Sequence, residues 1–306
     1  MTKMFQLLDP AGRLRNGAKP PLDDEFVLEG LRWMMLSRAI DARATGLQRQ
    51  GRLGVFSPVL GQEASVVGSA MALDPTRDWL VPQYRELPAM LMHGYPLHKH
   101  LLSKDGVVMT YFGEGASSEG DFHEACNLAG VVKAPVVFFL QNNNWAISTP
   151  RQLQSSAGSL AERAAGYGMP GVQVDGNDLL AVNQVSREAV ARARAGEGPS
   201  LIEAITYRMS FHNTTDNPSK YQDPAELEAA RARDPIRRVQ AYLKGRGMWD
   251  EKREQEFEQA ISEEIEAAIV KAQKAPLPNR SQIFDNVFAE LTPRQAAQRR
   301  ELLGEG

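Results

Sequence analysis

Four short polar sets carry the residue types that could do chemistry. Gly113-Glu114-Gly115 places a carboxylate between two glycines, and Asn142-Asn143-Asn144 stacks three amides just before Trp145. A carboxylate, the Asn143 side-chain oxygen and the Trp145 carbonyl are hard oxygen donors. With phosphate oxygens and water they suit Mg²⁺, which seldom has an all-protein cage. Gly113 and Gly115 let backbone N–H groups come close to a phosphate. Gln83-Tyr84-Arg85 adds a guanidinium able to grip phosphate with two parallel hydrogen bonds. Arg208 and His212 close the set, with an imidazole suited to proton transfer or to anchoring a phosphate. One Gly-acid-Gly alone is usually a strand-end turn, so the information lies in the paired arrangement.

The elements that must position these sets are readable. Val107–Phe112 is short, β-branched and aromatic, and Val136–Leu140 follows Pro135 in the same style. Both read as buried strands. Between them Phe122, Ala125, Leu128, Ala129 and Val132 fall at helical spacing. The strand–turn–helix–strand unit predicts a parallel pair, with its chemistry at the carboxyl ends of the strands. Further strands are predicted at 172–175 and 200–208, separated by a helix over Leu179–Arg194 that Asp178 caps. The repeating order predicts an α/β fold with a mostly parallel sheet covered by helices.

The motif from Gly113 to Asn143 resembles the thiamine-diphosphate motif, which opens Gly-Asp-Gly and closes Asn-Asn. More narrowly, YFGEGASSEGDFHEA and KAPVVFFLQNNNWAISTP resemble the α subunit of 2-oxo acid dehydrogenase E1 components, of the pyruvate and branched-chain types. The likeness runs over roughly residues 20 to 290. It implies thiamine diphosphate and Mg²⁺ as cofactors, with Glu114, Asn143 and the Trp145 carbonyl on the metal. It implies Gln83, Tyr84, Arg85, Gly113, Gly115, Ala116, Glu119, Ala146, Arg208 and His212 around the cofactor, with His212 catalytic. The reaction implied is oxidative decarboxylation of a 2-oxo acid, with acyl transfer to a lipoyl group. Pyruvate ranks before branched-chain acids on the Gly51–Glu63 stretch. The resemblance also implies a separate β subunit in an α₂β₂ heterotetramer, which supplies the glutamate beside the aminopyrimidine, and a lipoyl-bearing acyltransferase E2.

Three departures from that pattern stand out. The family has aspartate where Glu114 stands, and Asn213 replaces the regulatory serine of mitochondrial relatives. A segment of several dozen residues is missing at a junction between about Leu97 and Leu102. A catalytically impaired form that keeps only assembly contacts is therefore a second reading, and an acetoin dehydrogenase α subunit a third. A Walker-type nucleotide site is excluded, since no Gly-Lys-Ser/Thr follows the glycines.

Composition agrees with a soluble α/β enzyme. The 306 residues carry a formal charge of −3, which gives no basic excess for nucleic acid. No apolar run reaches membrane-spanning length. The lone Cys126 excludes an intrachain disulfide and reads as a packing residue. These features predict a cytoplasmic chain. His93, His98 and His100 cluster without a partner at metal spacing and read as surface or packing residues. The expected organisation is an arm over 1–22 that lies on a partner or stays mobile, a cofactor-binding domain over 23–223, and a helical extension over 224–306. The apolar piece at 281–288 is expected to dock on a partner.

Overall fold

The computed structural model describes residues 4–15, 18–94, 106–276, 279–285 and 287–304. The chain divides into two units, 1–261 and 262–306. The first is built on five parallel strands: β1 (Trp79–Val81), β2 (Val108–Gly113), β3 (Val136–Asn142), β6 (Gly171–Asp175) and β7 (Ser200–Ile205). Their order in the sheet is β1-β2-β3-β7-β6. A small antiparallel pair, β4 (Trp145–Ala146) and β5 (Thr149–Pro150), projects from the end of β3.

The near-continuous apolar run of β3 is explained by cover on both faces of the sheet. Val137 and Phe139 join one core with Met109, Tyr111 and Ile202. Helices α1 (Asp24–Arg49), α2 (Glu63–Ala70) and α5 (Leu179–Arg194) contribute to that core. Phe138 and Leu140 point the other way, to α4 (Gly120–Val132) and the 3₁₀ segment Ala161–Tyr167. Every residue of α2 is buried, as its small side chains predict. Gly68 lets α2 close on α5, since a Cβ there would stand 3.0 Å from the Leu179 carbonyl oxygen.

Two expectations about organisation are revised. The described part of the arm docks on this chain itself, with Phe5 on the sheet edge, Leu7 and Leu8 on Asp178, and Gly12 against Arg238–Tyr242. Phe5 bridges Val174 on the β6 edge, with Phe5 N donating to Gln173 O and Asp175 N to Phe5 O. Asp178 Oδ2 accepts from the backbone N–H groups of Leu7 and Leu8, while its Oδ1 caps α5 through Leu180 and Ala181. The arm thus covers a strand edge that would otherwise expose unpaired backbone groups. The extension was expected from 224, but α7 (Pro235–Gly245) belongs to the main core through Ile236, Val239, Tyr242 and Leu243. Its fully buried Arg238 also pairs with Asp175 at 2.8 Å, tying the helix to the end of β6. The break falls within α8 (Glu251–Lys274).

The sequence over Leu87–Leu102 reads as helix with a break at His93-Gly94-Tyr95-Pro96. Described helix ends at α3 (Leu87–Met92), and the junction at 97–102, with His98 and His100, lies outside the described residues. The second unit contains α9 (Gln282–Asp285) and α10 (Pro293–Leu303), the latter opened by a capping box on Thr292 and Gln295. No helix among the described residues is long and apolar enough to cross a membrane.

Candidate active site

The carboxyl ends of β1, β2, β3 and β7 converge on one cavity of about 210 Å³. This is where an open parallel sheet presents its loops. The wall takes Gln83, Tyr84 and Arg85 from the loop after β1, and Gly113, Glu114, Gly115 and Ala116 from the turn after β2. Asn143, Trp145, Ala146 and Ile147 come from the end of β3, and His212 from the loop after β7.

Glu114 is buried, and its Oε2 accepts the Asn143 backbone N–H at 3.1 Å. Its Oε1 is buried without any partner. Burial raises the Glu114 pKa, while hydrogen bonds and the charges of Arg208 and Arg85 oppose the shift. Asn143 Oδ1 accepts from Trp145 N at 3.2 Å and keeps a second lone pair. The loop that follows is strained. Asn144 and Ile147 adopt φ of 74° and 54°, the second unusual for a β-branched residue.

Arg85, Tyr84 and His212 meet across the cavity. The Arg85 guanidinium lies 5.2 Å from the Tyr84 ring centroid, and the His212 ring meets Tyr84 edge-on at 5.6 Å. Arg85 Nη2 lies 2.9 Å from His212 O and 3.2 Å from His212 Nδ1. An arginine can only donate, so Nδ1 accepts and the neutral ring carries its proton on Nε2. Burial, then the charges of Arg85 and Arg208, lower the His212 pKa against the pull of Asp216. The imidazole is therefore held neutral.

Two expected cofactor contacts stand outside this wall. Glu119 is exposed and occupies the N-cap position of α4, without a side-chain cap bond. Arg208 is fully buried behind the cavity. Its guanidinium donates to the carbonyls of Trp145 and Ile147 and to Tyr221 Oη. Tyr221 Oη in turn donates to Asp216, which accepts the His212 backbone N–H at 2.7 Å. Arg208 thus joins the β4 loop to the His212 loop instead of reaching the cavity. The Trp145 carbonyl, expected on the metal, receives Arg208 Nη1 at 3.3 Å.

Four wall residues escaped the sequence reading, Ile147 on the strained loop and three polar ones. Glu86 is fully buried, with its carboxylate accepting the Gln83 N–H and the Gln141 side-chain amide. Gln141 Oε1 accepts from Ser65 on α2 at 2.8 Å. Gln62, which precedes α2, is bonded to Asn143 at 3.0 Å. The loop before α2 is held by Asp41, which accepts from Val59 N and Leu60 N, and by Glu63, which pairs with Arg38 at 2.8 Å. Burial, then the Glu63 charge, pushes the Asp41 pKa up to about 8. The only sequence signal for Gln62 and Glu86 was polarity beside a buried helix and beside Tyr-Arg.

The dehydrogenase E1 component family matches residues 31–106 and 98–281. The α subunit of 3-methyl-2-oxobutanoate dehydrogenase from Mycobacterium tuberculosis (strain CDC 1551 / Oshkosh) is 40% identical over 325 residues. That overlap covers 90% of this chain and 88% of the relative. This chain belongs to the dehydrogenase E1 component family. The pyruvate dehydrogenase E1 component α subunits of Staphylococcus epidermidis (strain ATCC 35984) and Staphylococcus aureus (strain Mu50) are 37% and 36% identical over 346 residues. Each of these overlaps covers 99% of this chain and 93% of the relative. The family is in general a thiamine-diphosphate family.

The same comparisons locate the missing segment. An overlap of 346 residues exceeds the 306 of this chain, so the relatives carry about 40 residues that it lacks. The family match breaks into two stretches that meet at 98–106, where the sequence puts the junction.

Proposed function

We propose that this chain is the α subunit of a 2-oxo acid dehydrogenase E1 component. It holds magnesium thiamine diphosphate in the cavity at the ends of β1, β2, β3 and β7. The observation that carries the reading is the buried, unpartnered Oε1 of Glu114 beside Asn143, at a glycine-lined wall. An unpaired carboxylate oxygen in a dry site is costly unless a cation meets it. Glu114 and Asn143 supply hard oxygens for Mg²⁺, and the Trp145 carbonyl is an additional donor on the same loop. Gly113 presents bare backbone, since a Cβ there would meet nothing within 4 Å. The residues present therefore fit the group.

Bound thiamine diphosphate supplies the electron sink for decarboxylation. The protein's part is positional. Arg85, Tyr84 and Gln83, on the same wall, would supply donors to the diphosphate. The neutral His212 ring offers Nε2–H as a donor that needs no prior proton release. Arg208, through Tyr221 and Asp216, keeps the His212 loop and the β4 loop in register. The substrate class is a 2-oxo acid, and the acyl acceptor a lipoyl group on an E2 partner. A β subunit completes the site in an α₂β₂ assembly.

The roughly 40-residue shortfall favours a second reading, a subunit that assembles without turning over. Reconstitution with a β subunit decides between them. Decarboxylation of pyruvate and of 3-methyl-2-oxobutanoate is followed together with reductive acylation of a lipoyl domain. Turnover of either acid supports the enzyme. Assembly with neither acid turned over supports the second reading.

A further inference from the structure

Gln62 is fully buried, lines the cavity and has no assigned task. The orientation of its amide follows from the backbone. Trp145 N–H can only donate, so the atom of Asn143 that receives it at 3.2 Å is the oxygen. Asn143 Nδ2 is then the donor to Gln62, and the atom it meets at 3.0 Å is Oε1. Gln62 Nε2 is left buried without a partner.

Among the described residues lining the cavity, Glu114 Oε1 is an unpaired acceptor, and the unpaired donors are Gln62 Nε2 and the Nε1 of Trp145, whose ring packs with Tyr207 and Tyr221. Glu86 and Gln141, on the same wall, are engaged with each other and with Gln83 and Ser65. A bare anion would satisfy Gln62 and be repelled by Glu114. A bare cation would satisfy Glu114 and leave the Gln62 amide stranded. A metal-bound diphosphate satisfies both.

Resting on the magnesium-diphosphate reading of this cavity, we propose that Gln62 has two tasks. Its Nε2 binds a diphosphate oxygen, and its Oε1 fixes the Asn143 amide so that Oδ1 stays available to the metal. Gln62 is thus a cofactor-binding residue and also a positioning residue for Asn143.

Two variants separate the tasks. Gln62→Met keeps the shape and removes both polar atoms. Gln62→Glu keeps an acceptor for Asn143 and removes the donor. Calorimetry on the full chain assembled with a β subunit, with thiamine diphosphate and separately with inorganic pyrophosphate, is run across a Mg²⁺ series. Both variants are expected to bind either ligand at least about tenfold more weakly at saturating Mg²⁺, as loss of a hydrogen bond to a charged group predicts. Only Gln62→Met should also need more Mg²⁺ for half-saturation, a split that general loosening of α2 would not produce. Should Gln62→Met fail to fold, Gln62→Glu still reports on the donor, and Asn143→Asp, which no longer needs an acceptor from Gln62, reports on the orientation. Wild-type affinity in Gln62→Glu would overturn the donor role. An unchanged Mg²⁺ requirement in Gln62→Met, or a raised one in Gln62→Glu, would overturn the positioning role. If the wild-type assembly itself takes up neither ligand, the reading of the cavity fails and Gln62 falls with it.

Discussion

Replacing Gly113 by alanine separates the cofactor wall from the fold. Gly113 ends β2 on the cavity wall, outside the left-handed backbone region, and an added Cβ meets no heavy atom within 4 Å. The native state should accept the methyl group, and the unfolded chain loses freedom. The expected change in stability is a gain of about 0.4–1 kcal/mol. The methyl group stands in the space a phosphate must enter to meet the backbone. Overpacking by one carbon costs about 1–3 kcal/mol, so thiamine diphosphate should bind about 5- to 150-fold more weakly. Gly115→Ala has the opposite signature. Its Cβ would lie 2.6 Å from Ala146 Cβ, so β4 must shift and the same cost falls on the fold itself. Thermal unfolding without ligand and calorimetry with Mg²⁺ and thiamine diphosphate read the two effects apart. Wild-type affinity in Gly113→Ala, or an undiminished unfolding midpoint in Gly115→Ala, would refute the argument.

Further outcomes follow from the same geometry. Asn143→Ala removes the proposed metal donor and the partner of Gln62 and Trp145 N, so Mg²⁺-dependent calorimetric binding should disappear, and retained affinity would contradict the metal assignment. Asp178→Ala strands four backbone N–H groups and should cost about 3 kcal/mol or more in urea unfolding. It should also speed tryptic cleavage at Arg13 and Arg15, and an unchanged cleavage rate would contradict the docking of the arm. His212 is held below its ordinary value of 6.5, chiefly by burial. The unfolded chain then takes up a proton first as pH falls, so the stability that neutral His212 confers is lost below 6.5, down to the lowered native pKa. His212→Gln should remove that part of the slope, while wild-type and variant midpoints run parallel above 6.5. Parallel curves throughout would contradict it.

The strands that carry the site were legible because burial on both faces leaves a plain signature in β2 and β3. The Gly-Glu-Gly turn and the asparagine run were legible because their spacing survives in a linear reading. Glu119 and Arg208 were placed at the cofactor by resemblance, and their orientation was not. One stands exposed at the start of a helix, and the other turns inward to carbonyls brought beside it by the strained Ile147 loop. Gln62 and Glu86 escaped because their partners, Asn143 and Gln141, are 81 and 55 residues away. Only the sheet order β1-β2-β3-β7-β6 brings those loops together. The arm escaped for a similar reason, since Phe5 and Leu8 find their partners at 173–178.

The central claim is that the cavity takes up magnesium thiamine diphosphate although about 40 residues present in the relatives are missing and Glu114 stands at the metal. Calorimetric titration of thiamine diphosphate, with and without Mg²⁺ and in the presence of a β subunit, tests it most directly. The account predicts saturable binding that requires Mg²⁺. An absence of binding, with assembly onto the β subunit intact, would contradict it and leave a subunit with the family's fold and contacts but no cofactor.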